Sequence, residues 1–377
     1  MRIGIEAQRI FRKKRHGMDM VAVALIRNLQ QMDTKNEYFI FINEAEDPSP
    51  ITPTENFTIV PLSPSPYPIW EQYHLAKAVK AYRLDLLHCT SNTAPFFCRT
   101  KLLITLHDII YLEQLNFKEG SWYQRLGNLY RRWNVPGVVK KASYLFTVSH
   151  YEQERIVSHF GMDKNKVKVI YNGVAGHFKR ESPERMEIIQ GKYGLPDTFI
   201  LFLGNTDPKK NLKGVLQSLA LLEGRKVDFP DLVMPDFGKE VLVSMLATMG
   251  APQLINKIHL TGYIPNEDLP AIYSQALLFL YPSLRESFGL PILEAMACGC
   301  PVITSNTSSM PEVAGEAALL IDPFEPETLS EGIEKLLKSR EHRQKLIENG
   351  YKRPPLFDYR KGAEKTLLAY IQTLESK

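Results

Sequence analysis

A chain of 377 residues, 44% apolar and 23% charged, has the length for two globular domains, each able to bury a core of its own. Its formal charge of +4 is too small to indicate nucleic acid, but it suits anionic ligands such as phosphates. The four cysteines, Cys89, Cys98, Cys298 and Cys300, lack zinc-ligand spacing and point to a reduced compartment, and no apolar run approaches the length of a membrane span.

The opening MRIGIEAQRIF has no signal-peptide pattern, so the expected location is cytoplasmic, with peripheral attachment at the inner face of a membrane as a further expectation. Residues 3–5 read as a strand, and Val21, Leu25, Ile26 and Leu29 recur at helical spacing over 18–31. Gly17 falls in the loop ahead of that helix, after the basic run Arg12 to Arg15. Residues 38–42 and 85–88 read as strands. Residues 102–106 form a clear buried strand that delivers His107 at its carboxyl end. Residues 122–141 read as a helix interrupted at Pro136, 144–148 as a strand, and Ser149 as the cap of a helix ending at Phe160. A strand at 167–170 closes on Asn172-Gly173, a turn pair. The polar stretch 174–196 reads as domain boundary and hinge. Residues 199–203 then open a second series, with a helix at 211–222, a short strand at 257–260, and further strands at 277–281, 301–304 and 319–321.

Strand–helix alternation of this kind predicts an α/β protein of two doubly wound, Rossmann-like domains with parallel sheets. The expected bounds are 1–175, 176–358 and a C-terminal helical segment, 359–377, packing back on the first domain. Ligands in such sheets bind beyond the carboxyl ends of the strands.

The string ESFGLPILEAMACG occupies such a position, after the strand at 277–281. Pro291 fits the first turn of a short helix over 291–298 and Gly299 its far end. The amides of Phe288, Gly289 and Leu290 then point out of the helix start and make an anion site by geometry and dipole. Gly289 permits close backbone approach. Glu286 precedes the loop and Glu294 sits in the first turn. Carboxylates accept paired hydrogen bonds from vicinal hydroxyls, so one loop could serve sugar, phosphate and ribose. The plain alternative is that Glu294 complements the helix dipole and Glu286 is a solvated loop residue. Lys209 and Lys210 stand at another helix start, where cations are unfavourable unless an anion such as a diphosphate binds there. Two exposed loop lysines are the alternative.

Glu286, Phe288-Gly289-Leu290-Pro291 and Glu294, with seven residues between the glutamates, resemble the signature of the retaining glycosyltransferases of family 4, which have the GT-B fold. The flanking YPS and EAMACGCPVITSN are similar to that family as well. The resemblance is dense over 199–340 and looser in the first half. It implies that the two domains face each other across a cleft, that Glu286 contacts donor-sugar hydroxyls, and that Glu294 contacts the ribose. Family members commonly carry an Arg after the glycine of the 204–211 loop and a Lys before its helix. Lys210 matches the latter, Lys209 takes the place of Arg in a PRKN variant, and Asn205 departs from the pattern. The resemblance further places His107 against the donor sugar, Gly17 near the diphosphate and Tyr263-Ile264 at the nucleobase, with ordinary core packing the alternative for Ile264; Ser287 and Thr304 are expected as minor polar contacts. For His107 a structural role is the alternative, and for Asp108 the alternatives are orienting that ring or capping a helix.

The expected activity is a hexosyltransferase, moving mannose or a similar hexose from a GDP- or UDP-linked sugar to a glycan or lipid-linked glycan in bacterial surface polysaccharide synthesis. Catalysis falls to His107, Glu286 and Lys210. No cofactor is expected beyond the donor substrate. Metal-independence is expected too: there is no Asp-x-Asp in the chain, and fixed cations can carry the leaving-group charge. Trp122, Tyr123, Tyr130 and Trp133, interleaved with Arg125, Arg131 and Arg132, suggest an interfacial surface for a lipid-linked acceptor, or else a partly buried helix. A dinucleotide oxidoreductase and a P-loop hydrolase both require glycine motifs that this chain lacks. A sugar-nucleotide epimerase, a phosphorylase or a non-catalytic nucleotide-sugar-binding protein remain as other readings.

Overall fold

The computed structural model describes residues 1–11, 17–43, 50–113, 122–204 and 207–375, with the side chains of 122–124 left aside. The chain divides into two compact units, Met1–Asn172 with Asp358–Lys377, and Gly173–Phe357.

In the first unit, strands β1 (Arg2–Glu6), β2 (Glu37–Ile42), β3 (Phe57–Pro61), β4 (Leu86–Cys89), β5 (Lys101–Thr105), β6 (Tyr144–Thr147) and β7 (Val167–Val169) form one parallel sheet. Its order is β3-β2-β1-β4-β5-β6-β7. Ile3, Ile5, Phe41, Leu87 and Leu103 are fully buried, as strands covered on both faces require. The helix Gly17–Met32 contributes Ala22, Val23, Ile26 and Leu29 to the same core cluster as β1. The helix Tyr359–Glu375 joins that cluster through Ala363, Ala369 and Tyr370. Buried His88 ties it to the sheet, with Nδ1 2.7 Å from the Tyr370 hydroxyl and Nε2 2.8 Å from Thr105 Oγ1.

In the second unit, β8 (Phe199–Phe202), β9 (Asp231–Met234), β10 (Ile258–Leu260), β11 (Leu278–Tyr281), β12 (Val302–Ser305) and β13 (Ala318–Ile321) are likewise parallel. Their order is β10-β9-β8-β11-β12-β13. Leu212, Val215, Leu216, Leu219 and Leu222 of the helix Leu212–Gly224 are buried against this sheet. In both sheets the order reverses beside the first strand, at β1/β4 and at β8/β11, and each reversal opens a crevice at the strand ends.

Several sequence expectations need correction. The helix Trp122–Val139 runs through Pro136 without stopping. Asn172-Gly173 is not a turn but irregular chain at the sequence boundary between the two units. The stretch read as a hinge contains the helix Pro183–Tyr193, capped by the Ser182 hydroxyl and ended by left-handed Gly194. Gly17 is the first residue of its helix, not a loop residue. Glu294 lies in the second turn of the helix Leu290–Ala297 rather than its first. Ser149 does cap its helix, accepting the Glu152 amide at 3.2 Å.

Candidate functional site

The second unit's site is built at the β8/β11 reversal. After β8 the chain makes a 3₁₀ turn, Pro208–Lys210, capped by Asp207. Asn211 follows at φ +60°, and its Oδ1 accepts the Gly214 amide at 3.2 Å, so it caps the next helix from a left-handed conformation that Asn tolerates. The same side chain donates to the carbonyls of Pro282 (3.1 Å) and Pro323 (2.7 Å). The Leu284 amide donates to the Lys209 carbonyl at 2.7 Å. These bonds stitch the loop after β8 to the loop after β11.

The stitching sets Lys210 beside Glu286. Lys210 Nζ lies 2.7 Å from Glu286 Oε1, donates to the Tyr281 hydroxyl at 3.1 Å, and sits 4.8 Å from the centre of the Tyr281 ring. Glu286 and Tyr281 are buried, and Lys210 is largely so. Burial, then the Glu286 charge, pushes the Tyr281 phenol well above its ordinary range, so it stays protonated. Glu286 is held from behind by two serines. The Ser308 hydroxyl accepts the Glu286 amide (3.1 Å) and donates to the Glu286 carbonyl (2.6 Å). The Ser309 hydroxyl reaches the carbonyls of Glu286 (2.9 Å) and Phe288 (2.8 Å). Ser308 has φ +59°, a cost the surrounding bonds must meet.

Gly289 precedes the helix Leu290–Ala297 at φ +106°, where a Cβ would approach Ile292 Cδ1 to 3.2 Å. Glu294, one turn along, is pushed up to about 7 by burial against the opposing effect of the Tyr273 hydroxyl, 3.4 Å away. Near neutrality it can therefore present either an acceptor or an O–H. Gly299 ends this helix region at φ +77°, with the Tyr351 hydroxyl occupying the space where a Cβ would stand. Phe288 is buried with its ring edge-on to Phe357, and Ser287 and Leu290 are half-buried.

The remaining residues singled out in this unit are placed differently. Lys209 lies 3.7 Å from Asp207 at the surface. Tyr263 is exposed and Ile264 buried, on the loop beyond the edge strand β10. Thr304 is not a ligand contact: it is buried and donates to the Tyr281 carbonyl at 2.8 Å. Asn205 lies outside the described residues.

In the first unit, His107 follows β5 and is buried. Its amide donates to Asn92 Oδ1 (2.7 Å), and Nε2 stands 3.0 Å from the Thr90 carbonyl. Burial lowers its pKa, so the ring is neutral. A carbonyl only accepts, so Nε2 carries the hydrogen and Nδ1 is left as an acceptor. Asp108 takes the capping role: its Oδ1 accepts the Ile110 amide at 3.1 Å, while Thr90 holds the ring. Gly17 is exposed, and a Cβ there would meet nothing within 4 Å, so no steric demand for glycine arises within the fold. The basic run Arg12 to Arg15 lies outside the described residues, as do the side chains of Trp122 and Tyr123.

Sequence reasoning missed Asn211, Tyr281, Ser308 and Ser309. The polar run SNTSSMP after β12 was the available signal for the serines. It also missed a buried carboxylate in the first unit. Glu71 accepts from the hydroxyls of Thr93 (2.6 Å), Tyr67 (2.8 Å) and Tyr130, and burial pushes it up to about 7.

A model described as Glycosyltransferase Family 4 matches residues 15–175, and one described as Glycosyl transferases group 1 matches 186–353. The O-antigen chain mannosyltransferase B of Escherichia coli is 32% identical over 232 residues, 61% of this chain and 60% of that protein. The serotype-specific mannosyltransferase WbdA of Escherichia coli is 27% identical over 287 residues, 73% of this chain but only 34% of the relative. This chain thus spans 60% of the first relative's length and 34% of the second's. Among solved structures, Anabaena Alr3699/HepE in complex with UDP and glucose superimposes with a TM-score of 0.72 at 18% identity, over 99% of this chain and 100% of that one. The structural likeness establishes the two-domain GT-B fold. Two models that between them run from residue 15 to residue 353 establish the lineage: the chain belongs to glycosyltransferase family 4.

Proposed function

We propose that this protein transfers a hexose, mannose in the first instance, from a nucleoside diphosphate sugar to a glycan or lipid-linked glycan acceptor in bacterial surface polysaccharide synthesis, with retention of anomeric configuration. The observation that carries the reading is the Lys210–Glu286 pair at the strand-order reversal, beside the start of the helix Leu290–Ala297. The Lys210 ammonium is paired with the Glu286 carboxylate. A bound diphosphate offers a stronger, doubly accepting partner, which frees the carboxylate for sugar hydroxyls.

As the C1–O bond to the diphosphate breaks, negative charge gathers on the leaving oxygens. Lys210, Lys209 and the amides of Phe288, Gly289 and Leu290 meet that charge, so they act chiefly in the transition state. The acceptor oxygen bonds to C1 on the face the diphosphate leaves, and its proton passes to a leaving phosphate oxygen, so no side-chain nucleophile takes part. Glu294 serves the ribose and Tyr263-Ile264 the base. His107 Nδ1 accepts from a donor-sugar hydroxyl. The names of the two Escherichia coli relatives favour mannose, hence GDP-mannose, whereas the uridine ligand in Alr3699/HepE keeps a UDP-hexose in view.

The test is a thermal-shift screen against GDP-, UDP- and ADP-sugars with and without EDTA, followed by NMR of the product's anomeric proton. A donor-specific rise in melting temperature that survives chelation, with transfer and retention, is expected. No shift with any nucleotide sugar, or an inverted product, overturns the reading.

A further inference from the structure

The first unit holds a fully buried carboxylate that donor binding and transfer, as read above, leave unused. Glu6 ends β1, on one side of the β1/β4 reversal, and is shut off from solvent. Its Oε1 accepts the Gln8 amide at 3.1 Å, and its Oε2 accepts the Thr90 amide at 3.1 Å. The Thr90 hydroxyl donates to the Glu6 carbonyl at 2.7 Å and lies 3.4 Å from Oε2. Thr90 is the first residue past β4, the strand paired with β1. It is therefore gripped at both its amide and its hydroxyl by one residue of the neighbouring strand.

The grip passes on to His107. The Thr90 carbonyl is the acceptor that faces His107 Nε2 at 3.0 Å. The main chain of His107 is fixed separately. Its amide meets Asn92 Oδ1 at 2.7 Å, and the Leu106 amide donates to the Phe146 carbonyl at 2.8 Å. Asn92 itself adopts φ +70° and donates its amide to the Thr105 carbonyl at 3.1 Å. Asn92 thus sets the backbone beneath the imidazole, and Thr90 sets the ring. A neutral imidazole has two tautomers, and an acceptor at Nε2 selects the one with its hydrogen there. If the Thr90 carbonyl turns away, the selection is lost. Because β1, β4 and β5 are adjacent in the sheet, Glu6, Thr90 and His107 form one relay across their carboxyl ends.

A buried carboxylate is costly unless its oxygens are bonded, and burial does raise the pKa of Glu6 against the pull of the Gln8 and Thr90 amides. Both oxygens face N–H donors. A side-chain amide cannot meet that demand, because one of its two ends is itself a donor.

We propose that Glu6 is a positioning residue for the transfer reaction: through Thr90 it fixes the tautomer and orientation of His107, so that Nδ1 is presented as an acceptor. This rests on the reading of His107 as a contact of the donor sugar, and it names the group that makes the contact dependable.

The ring is read directly by ¹⁵N NMR of the full-length protein labelled at histidine, with the His107 signals assigned by their loss in His107→Gln. The parent should show the Nε2–H tautomer, and Glu6→Gln a mixture of the two. Thr90→Val, which removes the hydroxyl at similar volume, should shift the balance in the same direction and carries the test if Glu6→Gln does not fold. Thr90→Ser should recover most of what Thr90→Val loses. Initial rates with the nucleotide sugar selected by thermal shift supply the second readout. Glu6→Gln should lower kcat/KM by about tenfold or more, the scale of a misplaced contact. In a His107→Ala background it should lower kcat/KM no further, because both changes remove one contact. An unaltered tautomer in Glu6→Gln and Thr90→Val overturns the proposal. So does an equal kinetic loss with and without His107, the mark of a purely structural role. Full turnover in His107→Ala also overturns it, whereas a donor-induced thermal shift in that variant would leave the assignment of the second unit's donor site standing.

Discussion

Lys210 and Glu286 come from loops on opposite sides of the second unit's strand-order reversal, and they meet at 2.7 Å over the face of Tyr281. An ammonium held by a carboxylate and an aromatic ring is positioned before any anion arrives. Removing it should therefore affect turnover more than donor capture. Lys210→Ala is expected to lower kcat by about 10²–10³-fold, the range for deleting one donor to transition-state charge. Lys210→Arg should retain part of the activity. Lys209→Ala should cost about tenfold or less, because that ammonium already has a surface partner in Asp207, and surface pairs count for little. Initial-rate kinetics with the donor found by thermal shift decide the ranking.

Ser309 reaches two carbonyls that bracket the loop, those of Glu286 and Phe288. Ser309→Ala removes the one hydroxyl the two carbonyls share at a fully buried position, while Ser308 still donates to Glu286, a loss of about 1–3 kcal/mol. The expected outcome is a lowered melting temperature together with a kcat/KM reduced several-fold, because Glu286 loses one of its two backing serines. Unchanged kinetics in a destabilised protein would confine Ser309 to folding.

Gly289→Ala tests the backbone at the helix start. At φ +106° a side chain is strained by about 1–3 kcal/mol, and the new methyl would press on Ile292. Donor affinity measured by calorimetry should fall more than global stability does, because the strain is relieved by moving the amides that face the ligand.

Acidity should act on the first unit through two groups of opposite sign. His88, buried between Tyr370 and Thr105, is lowered to about 3 by burial from an ordinary 6.5. Between those values the unfolded chain takes up a proton that the folded chain refuses, so stability from this residue is full above 6.5 and is lost as pH falls. Glu71 is raised to about 7 from an ordinary 4.5, so its contribution is full below 4.5 and is lost as pH rises through 7. His88→Gln should flatten the acid-side loss of melting temperature relative to the parent, and Glu71→Gln the loss on the alkaline side, each worth a few kcal/mol at most. Parallel melting curves from about pH 5 to about pH 8 check both, and identical pH slopes in parent and variant would contradict the assignment.

The fold was largely legible in the sequence because parallel strands are covered on both faces and read as short apolar runs such as FIFI and LLIT. Where a strand mixes polar with apolar residues, as FTIVP of β3 and DLVM of β9 do, periodicity alone passed it over. The helix Pro183–Tyr193 hid for a related reason: it buries only Ile189, so its helical spacing leaves little apolar trace. At the site, Lys210, Glu286 and Glu294 were readable as charged residues beside glycine and proline punctuation. Asn211 and Ser308 were not, because their roles depend on left-handed backbone and on bonds between loops 71 and 22 residues apart in sequence.

The C-terminal helix has a bearing on how the molecule assembles. His88 and Tyr370 are bonded across 282 positions, yet Ile170 and Tyr171, just before the second unit, lie against Gly362, just after it. The second unit is thus an insertion whose entry and exit run side by side. Once it folds, it shortens the effective loop between sheet and returning helix to a few residues, and the entropy of closing that loop falls accordingly. Maturation of the first unit should therefore wait on its insert, and mutations that loosen the Gly173–Phe357 unit should slow formation of the His88–Tyr370 contact without touching either residue.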